Sequence, residues 1–340
     1  MSTTTGFIDL IPGVMLDMNL TNETLHGDEE EDYEEERYKF ILKSCFIFGI
    51  MMFTIIGNVL SIAVILRTKV LKTPSGNFII SLAAADLMVG ACVVPFSFIS
   101  ASQGKWIFSN QVCTAVGFLQ FYSTTLSISN LLVLTIDRWI SVTKPLKYTR
   151  LMTNRVSYVC IAFIWIAVLI IDIPMVFPSV GHFRDMRKVY ICSPQWRTNL
   201  AYTIVLISVY LLPSFTMVLI LNLRLFCLSR KHRRSMNNIE RHTQSRKEKS
   251  SVKSKIVIFT IVLTFEISWM PYFIVEIIRL VNPIVVDNDV TFIVSWIAVC
   301  NSFMNSVIYT CLNRKFREGI RIVCRFQKQP DYIVNRESLL

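Results

Sequence analysis

Asp86 is the only acidic residue of the long apolar stretch at 76–100, where it ends the segment Ser-Leu-Ala-Ala-Ala-Asp. An ionisable group surrounded by hydrocarbon is costly and marks a functional site by default. Amide and hydroxyl side chains that could surround this carboxylate lie in three other apolar stretches, at Asn58, Ser123, Ser127, Asn301, Ser302 and Asn305. One carboxylate among neutral oxygens suits a monovalent cation or a water network. Hydrogen bonds that only hold helices together are a compatible interpretation.

A second charged group, Asp137-Arg138-Trp139, stands where another apolar stretch ends. Long charged side chains in that position can be anchors that reach the lipid headgroups. Shortly afterwards, Pro145-Leu146 places an apolar tip inside a basic loop. Such a tip favours a protein-docking element over an anchor, so we expect a partner protein at this end of the molecule.

The elements that position these residues are apolar blocks long enough to cross a membrane. Hydrophobic residues make up 53% of the 340 and charged residues only 17%, against about a quarter in soluble domains. A membrane-spanning helix needs roughly 20 apolar residues in a row. Seven blocks qualify, at 41–66, 76–100, 111–136, 156–178, 200–226, 256–280 and 290–312. We therefore expect an all-α membrane protein, and we exclude a soluble enzyme, a DNA-binding module and a secreted disulfide scaffold.

The distribution of charge predicts how the chain crosses the membrane. The net charge is +11, although residues 1–40 contain eleven acidic and only two basic residues. Basic residues cluster after the first, third, fifth and seventh blocks, with ten Lys or Arg between Arg230 and Lys255. Short connections rich in Lys and Arg stay in the cytoplasm. We expect an extracellular N-terminus, a cytoplasmic C-terminus, an odd number of spans and no nucleic-acid partner.

Cysteines and short motifs on the predicted outer side indicate covalent modifications. Disulfides form in the oxidising exterior rather than in the cytosol. Of the nine cysteines, Cys113 at the outer end of block three and Cys192 in the loop after block four are the natural pair. Asn19 and Asn22 each begin an N-glycosylation triplet. The acidic run at 28–36 is typical of a solvated tail.

Taken together, these residues resemble the motifs of a rhodopsin-like (class A) G-protein-coupled receptor over about residues 40–326. One landmark falls in each block, in order: Gly57-Asn58, Leu82-Ala-Ala-Ala-Asp86, Asp137-Arg138-Trp139, Trp165, Pro213, Phe265 with Trp269-Met-Pro271, and Asn305-Ser-Val-Ile-Tyr309. Cys113 and Cys192 match the family's outer disulfide, and Trp106 matches a tryptophan of its first outer loop. Any one motif is weakly specific, but the full set in register is strongly specific.

The resemblance implies a domain organisation and a set of partners. The implied fold is a seven-transmembrane helix bundle at 41–312 with an amphipathic eighth helix at 313–326, between an acidic glycosylated segment at 1–40 and a cytoplasmic tail at 327–340. Cys324 at the end of the eighth helix is a candidate palmitoylation site. A receptor of this kind is not an enzyme. It lies in the plasma membrane among lipids, and its partners are a heterotrimeric G protein, arrestin, a receptor kinase and an extracellular ligand.

The resemblance also implies a role for individual residues. A sodium ion, with no other cofactor, would bind at Asp86, Ser127, Asn301 and Asn305. The residues that rearrange on activation would be Ile128, Pro213, Phe265, Trp269, Asn305 and Tyr309. The G protein would contact Asp137, Arg138, Pro145 and Leu146, with Asp137 holding Arg138 in the resting state. An outer ligand would then have to bind the active conformation more tightly than the resting one.

Several positions depart from the family pattern. Ser306 stands where the family usually has proline, so we expect a weaker kink in the seventh span. Leu221 replaces a tyrosine that often supports the active state. Residues 250–255 are Ser-Ser-Val-Lys-Ser-Lys, without the acid that could hold Arg138. High basal signalling is therefore our hypothesis.

The ligand is not fixed by the resemblance. Trp296 and the short motifs around Asp86 and Asp137 favour the amine-like branch of the family. Gln120, however, stands where amine receptors place an anchoring Asp. Val299 stands where opsins carry the Lys that binds retinal. The expected pocket consists of Gln120, Phe121, Thr124, Trp269, Tyr272, Phe273, Glu276, Ser295 and Trp296. Glu276 is the expected partner of a cationic ligand. Asp172 is a distant second choice, because its position beside Pro174 is typical of a capping or lipid-facing residue.

Other ligands and other functions stay open at this point. The ligand could be trace-amine-like or another small molecule, and the acidic N-terminal segment also allows a basic peptide. A seven-span transporter would show internal repeats and paired charges at mid-membrane, and neither is found. A membrane hydrolase would need His or metal-ligand clusters within the spans, whereas all four histidines lie outside the blocks.

Overall fold

The computed structural model describes residues 12–186, 188–237, 246–282 and 286–324, and within these ranges the side chains of 12–36, 226, 229–237, 246–256 and 258 stay undescribed. Seven helical segments are long and apolar enough to cross a membrane. They are span 1 (Arg37–Arg67), span 2 (Pro74–Ser102), span 3 (Asn110–Thr143), span 4 (Asn154–Val176), span 5 (Leu200–Leu225), span 6 (Phe259–Val281) and span 7 (Asn288–Leu312). The prediction of seven spans is confirmed.

The helices that build these spans have sharp boundaries. Their bounds are α1 Pro12–Arg67, α2 Pro74–Met88, α3 Val94–Ser102, α4 Asn110–Thr143, α5 Pro145–Leu151, α6 Asn154–Asp172, α7 Leu200–Val205, α8 Leu212–Asn237, α9 Arg246–Val281, α10 Asn288–Leu312 and α11 Arg314–Cys324. Side chains of Thr73, Ser109 and Thr153 accept hydrogen bonds from backbone amides of the first turns of α2, α4 and α6. Such caps satisfy amides that the helix itself leaves unpaired.

Three spans contain a break in the regular α-helix. Span 2 has a π-helical turn at Val89–Val93 just before Pro95, and span 5 has one at Leu206–Leu211 just before Pro213. Span 4 ends in a 3-10 turn at Ile173–Val176. Proline has no amide hydrogen and its ring collides with the preceding turn, so widened or tightened turns near proline relieve that conflict.

The first helix is longer than the sequence predicts. Helix α1 begins at Pro12 and runs without interruption into span 1, through the acidic run at 28–36 that we expected to be a solvated tail. Glutamate has a high intrinsic helix propensity, and a helix already formed in span 1 can be extended without a new nucleus. The side chains of Asn19 and Asn22 lie outside the described part of the chain.

A two-stranded antiparallel hairpin covers the end of the bundle that carries the disulfide, which we call the outer end. Strand β1 (Phe183–Met186) pairs with β2 (Ile191–Pro194) in a register that places Asp185 opposite Cys192. The disulfide between Cys113 and Cys192 is present, with the two Cα atoms 5.5 Å apart, as predicted. A side chain at Gly117 would come within 2.6 Å of Phe183, so only glycine lets the hairpin lie this close to span 3.

Spans 3 and 7 form the centre of the bundle. About 61% of the most apolar window of span 3 and 67% of that of span 7 are buried, against 22% for span 4 and 17% for span 5. The largest core cluster joins residues of most of the spans, including Leu82, Ile128, Phe265 and Tyr309. Spans 4 and 5 therefore present most of their apolar surface outward, as expected for helices that face lipid.

The last helix, α11, begins immediately after span 7. Its Phe316 is buried and lies 5.8 Å from the ring of Tyr309, measured between centroids. Gly319 is also buried, and a Cβ atom there would be 2.6 Å from Val64. These contacts hold α11 against span 1 and span 7, which supports the predicted eighth helix. Cys324, the candidate palmitoylation site, is exposed at its end.

Candidate functional site

The carboxylate of Asp86 lies at the centre of the bundle, among polar groups of spans 3 and 7. Asn305 Nδ2 donates to it at 2.8 Å and Ser127 Oγ at 3.3 Å. Asp86 is 1% exposed. The carbonyl oxygens Oδ1 of Asn301 and Asn305 are buried without a hydrogen-bond partner among the described residues. Three of the four predicted sodium ligands, Asp86, Ser127 and Asn305, are thus in contact, and the unpartnered Oδ1 of Asn305 is the type of oxygen that a small monovalent cation binds.

A second set of polar side chains lies between span 1 and span 7. It includes Ser306, which stands where the family pattern has proline. Ser306 Oγ donates to Asn58 Oδ1 at 3.2 Å and lies 3.1 Å from the hydroxyl of Ser61. Asn58 Nδ2 donates to the Ser302 carbonyl at 2.8 Å. A Cβ atom at Gly57 would be 2.9 Å from Ser306, so glycine is what allows this close approach. Ser306 therefore ties the two spans together through its side chain.

The end of the bundle opposite the disulfide, which we call the inner end, carries Asp137 and Arg138. Asp137 is fully buried and does not pair with Arg138, contrary to the role that the resemblance implied. Instead it accepts hydrogen bonds from Ser75 Oγ at 2.5 Å and from Tyr148 Oη at 2.9 Å. Arg138 Nε is buried without a hydrogen-bond partner among the described residues. Asp137 points towards span 2 and helix α5, so it is not available to hold Arg138.

Helix α5, just after span 3, presents the predicted apolar tip. Pro145 opens this helix and Leu146 is 95% exposed. Burial and the nearby carboxylate of Asp137 raise the pKa of Tyr148. Its phenol therefore stays protonated at physiological pH and remains a hydrogen-bond donor to Asp137. This bond fixes α5 to span 3 and leaves Leu146 free on the surface.

The residues expected to rearrange on activation are only partly brought together. Ile128 and Phe265 are both buried in the same cluster, and the Phe265 ring lies 6.1 Å from that of Trp269. Pro213, by contrast, is exposed on the outside of span 5. Phe215 takes the contact instead, with its ring 5.5 Å from Phe265. The π-helical turn that precedes Pro213 shifts which residues of span 5 face inward.

A small cavity of about 60 Å³ lies between the hairpin and Trp269. Seven of the nine predicted pocket residues line it: Gln120, Phe121, Thr124, Trp269, Tyr272, Phe273 and Ser295. None of the described residues on its wall is Asp, Glu, Lys, Arg or His. The indole nitrogen of Trp269 and the hydroxyl of Ser295 are buried without partners among the described residues. The cavity is thus apolar, uncharged and supplied with free hydrogen-bonding groups.

Sequence reasoning missed the roof of this cavity. The hairpin and the residues after it contribute Met186, Ile191, Cys192, Ser193, Pro194 and Trp196. The Trp196 ring meets Phe121 edge-on at 5.8 Å. Cys192 could have indicated these residues in the sequence, because a disulfide to Cys113 must bring the neighbours of Cys192 over the outer end of span 3.

Glu276 and Trp296 do not line the cavity, and both predictions are corrected. Glu276 accepts a hydrogen bond from Arg279 Nη1 at 3.4 Å, and Arg279 also donates to the hydroxyl of Thr291. Trp296 is 1% exposed and donates from its indole nitrogen to the Val189 carbonyl at 3.0 Å. Each of these polar groups thus has its partner outside the cavity.

Asp172 also differs from expectation. It is 0% exposed at the end of α6, so it faces the interior of the bundle rather than lipid. Neither carboxylate oxygen has a hydrogen-bond partner among the described residues. Hydropathy could not reveal this, because it does not tell which face of span 4 is turned inward.

The comparison with known proteins agrees with this architecture. The family described as 7 transmembrane receptor (rhodopsin family) matches residues 57–309. The chain belongs to this family. The match includes the Asp86 site, the Asp137-Arg138 pair and the outer cavity, so these features lie within the family's common receptor core.

Similar receptors and a similar structure are known. The receptor is 28% identical to trace amine-associated receptor 7a of Mus musculus and to 7e of Rattus norvegicus, over 84% of this chain and 82% of each relative. Squid rhodopsin has the same fold, with a TM-score of 0.74 at 21% identity, over 87% of this chain and 89% of that one. These relatives confirm a rhodopsin-like receptor of the amine-like branch, and they confirm that it is not an enzyme.

Proposed function

We propose that this receptor binds a small extracellular molecule in the outer cavity and activates a heterotrimeric G protein at the inner end. The observation that carries the proposal is that the main core cluster contains both Trp269, at the cavity, and Tyr309, which lies towards the inner end; we call this cluster the column. Trp269, at the cavity, packs on Phe265 in the main core cluster. Tyr309, in the same cluster, lies within electrostatic range of both Asp86 and Arg138.

The column gives a physical route for ligand binding to change the inner end. A molecule that displaces Trp269 must shift Phe265, because close-packed cores accommodate little movement without repacking. The Tyr309 hydroxyl and Arg138 Nε are buried without partners among the described residues, so the inner end is not locked by their hydrogen bonds. We infer that a G protein completes these contacts when span 6 moves.

A small molecule fits the cavity better than a peptide. The hairpin covers the cavity from above, with Trp196 only 9% exposed, and the enclosed space is about 60 Å³. Disulfide-tethered backbone at Cys192 holds that cover in place. The basic peptide that the acidic N-terminal segment suggested would need a much larger opening.

The orientation and the remaining partners belong to the same proposal. Positive connections after spans 1, 3, 5 and 7 support a cytoplasmic inner end and an extracellular hairpin. The receptor would then lie in the plasma membrane with its N-terminus outside. Arrestin and a receptor kinase would share the inner end with the G protein, where Leu146 is exposed.

We also infer that sodium modulates the receptor from the Asp86 site. Asp86, Ser127, Asn301 and Asn305 would hold the ion, and the ion would supply a positive charge that a lone buried carboxylate otherwise lacks. The unpartnered Oδ1 of Asn305, whose Nδ2 donates to the Asp86 carboxylate, supports this inference. A cation there would join spans 2, 3 and 7 and oppose their separation.

The proposal is tested by nucleotide exchange on a purified G protein with the receptor in lipid nanodiscs. We expect exchange to depend on the receptor and to fall by at least about tenfold in Arg138→Gln, because the half-buried cation at the inner end is lost. Lys105→Gln, which removes a cation at the outer end, is the matched control and should keep full exchange. Equal exchange with parent receptor, Arg138→Gln and empty nanodiscs would refute G-protein activation.

A further inference from the structure

The wall of the outer cavity carries polar groups but no charge. Within the part of the chain that the structure describes, no acidic or basic side chain lines it. Glu276 pairs with Arg279 outside the cavity, and Asp172 is enclosed at the end of α6 and is not part of the wall. A cationic ligand would therefore lose its hydration without meeting an opposite charge, which is costly in free energy.

Several hydroxyl groups of this wall already have partners within the protein. The hydroxyls of Thr124 and Thr125 donate to backbone carbonyls one turn earlier in span 3, both at 2.9 Å. The hydroxyls of Ser193 and Tyr272 lie 3.3 Å apart and share a hydrogen bond. These four side chains are thus hydrogen-bonded without a ligand.

Other donors on the same wall have no acceptor. The indole nitrogens of Trp196 and Trp269 and the hydroxyl of Ser295 are buried without hydrogen-bond partners among the described residues, and all three side chains line the cavity. Their exposed fractions are only 9%, 8% and 4%. Trp196 lies close to the Tyr272 hydroxyl, so Trp269 and Ser295 are the more available pair.

These donors select the chemistry of an occupant. An indole N–H can donate but cannot accept a hydrogen bond, and an ammonium group likewise offers only donors. A buried donor without an acceptor is destabilising. The indole of Trp269 therefore favours an occupant with an acceptor oxygen over an amine, and Ser295 can donate to the same oxygen.

The rest of the cavity favours a compact and apolar molecule. Its wall includes Phe121, Phe273 and Val299, and its volume is about 60 Å³. Benzene occupies an apolar cavity of about 150 Å³ in another protein, so this cavity suits a molecule no larger than one small ring. Met186 in the roof is a flexible side chain that can adapt to such a ring.

We propose that the outer cavity binds a compact, uncharged and mainly apolar molecule with one hydrogen-bond acceptor, such as a small cyclic ketone or lactone. This inference rests on the proposed function, because it names the ligand class of the same cavity. The acceptor oxygen would receive protons from Trp269 Nε1 and Ser295 Oγ and would so bridge spans 6 and 7. Because Trp269 packs on Phe265, this hydrogen bond would connect the ligand with the column.

The test compares cyclopentanone, methylenecyclopentane and cyclopentylamine, which share one ring size and differ in acceptor and charge. Affinities are measured from the rise in melting temperature of the purified receptor in lipid nanodiscs as each probe is added. We expect the ketone to bind most tightly, the hydrocarbon more weakly and the amine least. Ser295→Ala and Trp269→Phe should each weaken the ketone about 3- to 10-fold, the effect of losing one hydrogen bond, and should change hydrocarbon affinity less. Ser102→Ala, which removes an exposed hydroxyl at the outer end, is the matched control and should keep the ketone preference.

Four results would overturn the inference. These are no ketone binding, an amine that binds as tightly as the ketone, equal affinities of ketone and hydrocarbon in the parent, or an unchanged ketone preference in both variants. Because each variant removes a donor and keeps a side chain of similar shape, the melting temperature without probe is expected to stay near that of the parent. Equal losses of ketone and hydrocarbon affinity would indicate altered packing instead of a lost hydrogen bond and would also count against it. Nucleotide exchange without probe is measured in parallel. Exchange without ketone binding overturns only the ligand class, and ketone binding without exchange overturns only the proposed G-protein activation.

Discussion

At the residue scale, the polar side chains inside the spans differ in whether their hydrogen bonds are satisfied. Asn58 and Ser306 satisfy each other, while the amide oxygens of Asn301 and Asn305 near Asp86 do not find protein partners. Buried polar groups are normally hydrogen-bonded, and exceptions call for a bound ion or water. The Asp86 site is therefore where we expect a bound ion to change the receptor's stability most.

We predict that sodium stabilises the parent receptor and not Asp86→Asn. An ion that binds only the folded bundle raises its melting temperature as the ion concentration rises. Melting curves in sodium chloride and in choline chloride at equal ionic strength measure this directly. Asp289→Asn, an exposed acid at the outer end, is the control and should keep the sodium effect. A sodium-dependent shift that persists in Asp86→Asn would leave the site a purely structural one.

At the scale of elements, the hairpin depends on its attachment to span 3. Its strands have only four residues each, and an isolated two-stranded hairpin is marginally stable in water. The disulfide at Cys192 and the close contact at Gly117 hold it against the bundle. The hairpin therefore covers the cavity only while the disulfide and the contact at Gly117 are intact.

We predict that Cys113→Ser lowers the stability of the folded receptor by about 2–4 kcal/mol, the usual effect of losing a native disulfide. The closed loop is long, since the two cysteines are 79 positions apart in the sequence. Surface expression of the variant should fall sharply, as measured by antibody labelling of intact cells. Cys300→Ser, which changes a free cysteine in span 7, should be expressed like the parent. Normal surface levels and signalling in Cys113→Ser would contradict this role of the disulfide.

At the scale of the whole molecule, the inner end lacks a lock on Arg138 among the described side chains. Asp137 bonds to Ser75 and Tyr148 instead. Two conformations whose free energies differ by only a few kcal/mol are both populated in the absence of ligand. A receptor in which the key cation is not held should thus visit its active conformation spontaneously.

We predict basal signalling well above that of mock-transfected cells, measured by a second-messenger assay at matched surface expression. Arg138→Gln should return the signal to the mock level. Tyr148→Phe frees Asp137 from one of its two hydrogen bonds, so it should lower the basal signal if Asp137 then turns to Arg138. A parent receptor indistinguishable from mock-transfected cells would refute the hypothesis.

Hydropathy and motifs predicted the seven spans, the disulfide and the proximity of Ser127 and Asn305 to Asp86, because each depends on residues in register along the chain. The orientation of each helix about its own axis could not be predicted in the same way. Pro213 was expected inside and is outside, while Asp172 was expected in a capping or lipid-facing position and is fully buried. Trp296 and Glu276 were placed in the pocket, but their partners Val189 and Arg279 keep them out. The packing of the spans against one another determines which residues of each helix face inward.

The tethered hairpin also has a consequence for kinetics. A molecule in the cavity would lie beneath Trp196 and the backbone around Cys192, so we expect its exit towards the outer end to require a displacement of one of them. Association should be slower than the usual 10⁵–10⁷ M⁻¹s⁻¹ for binding without a required conformational change. Dissociation is slowed by the same displacement, so even a ligand of modest affinity would have a long residence time and signal in sustained rather than brief episodes.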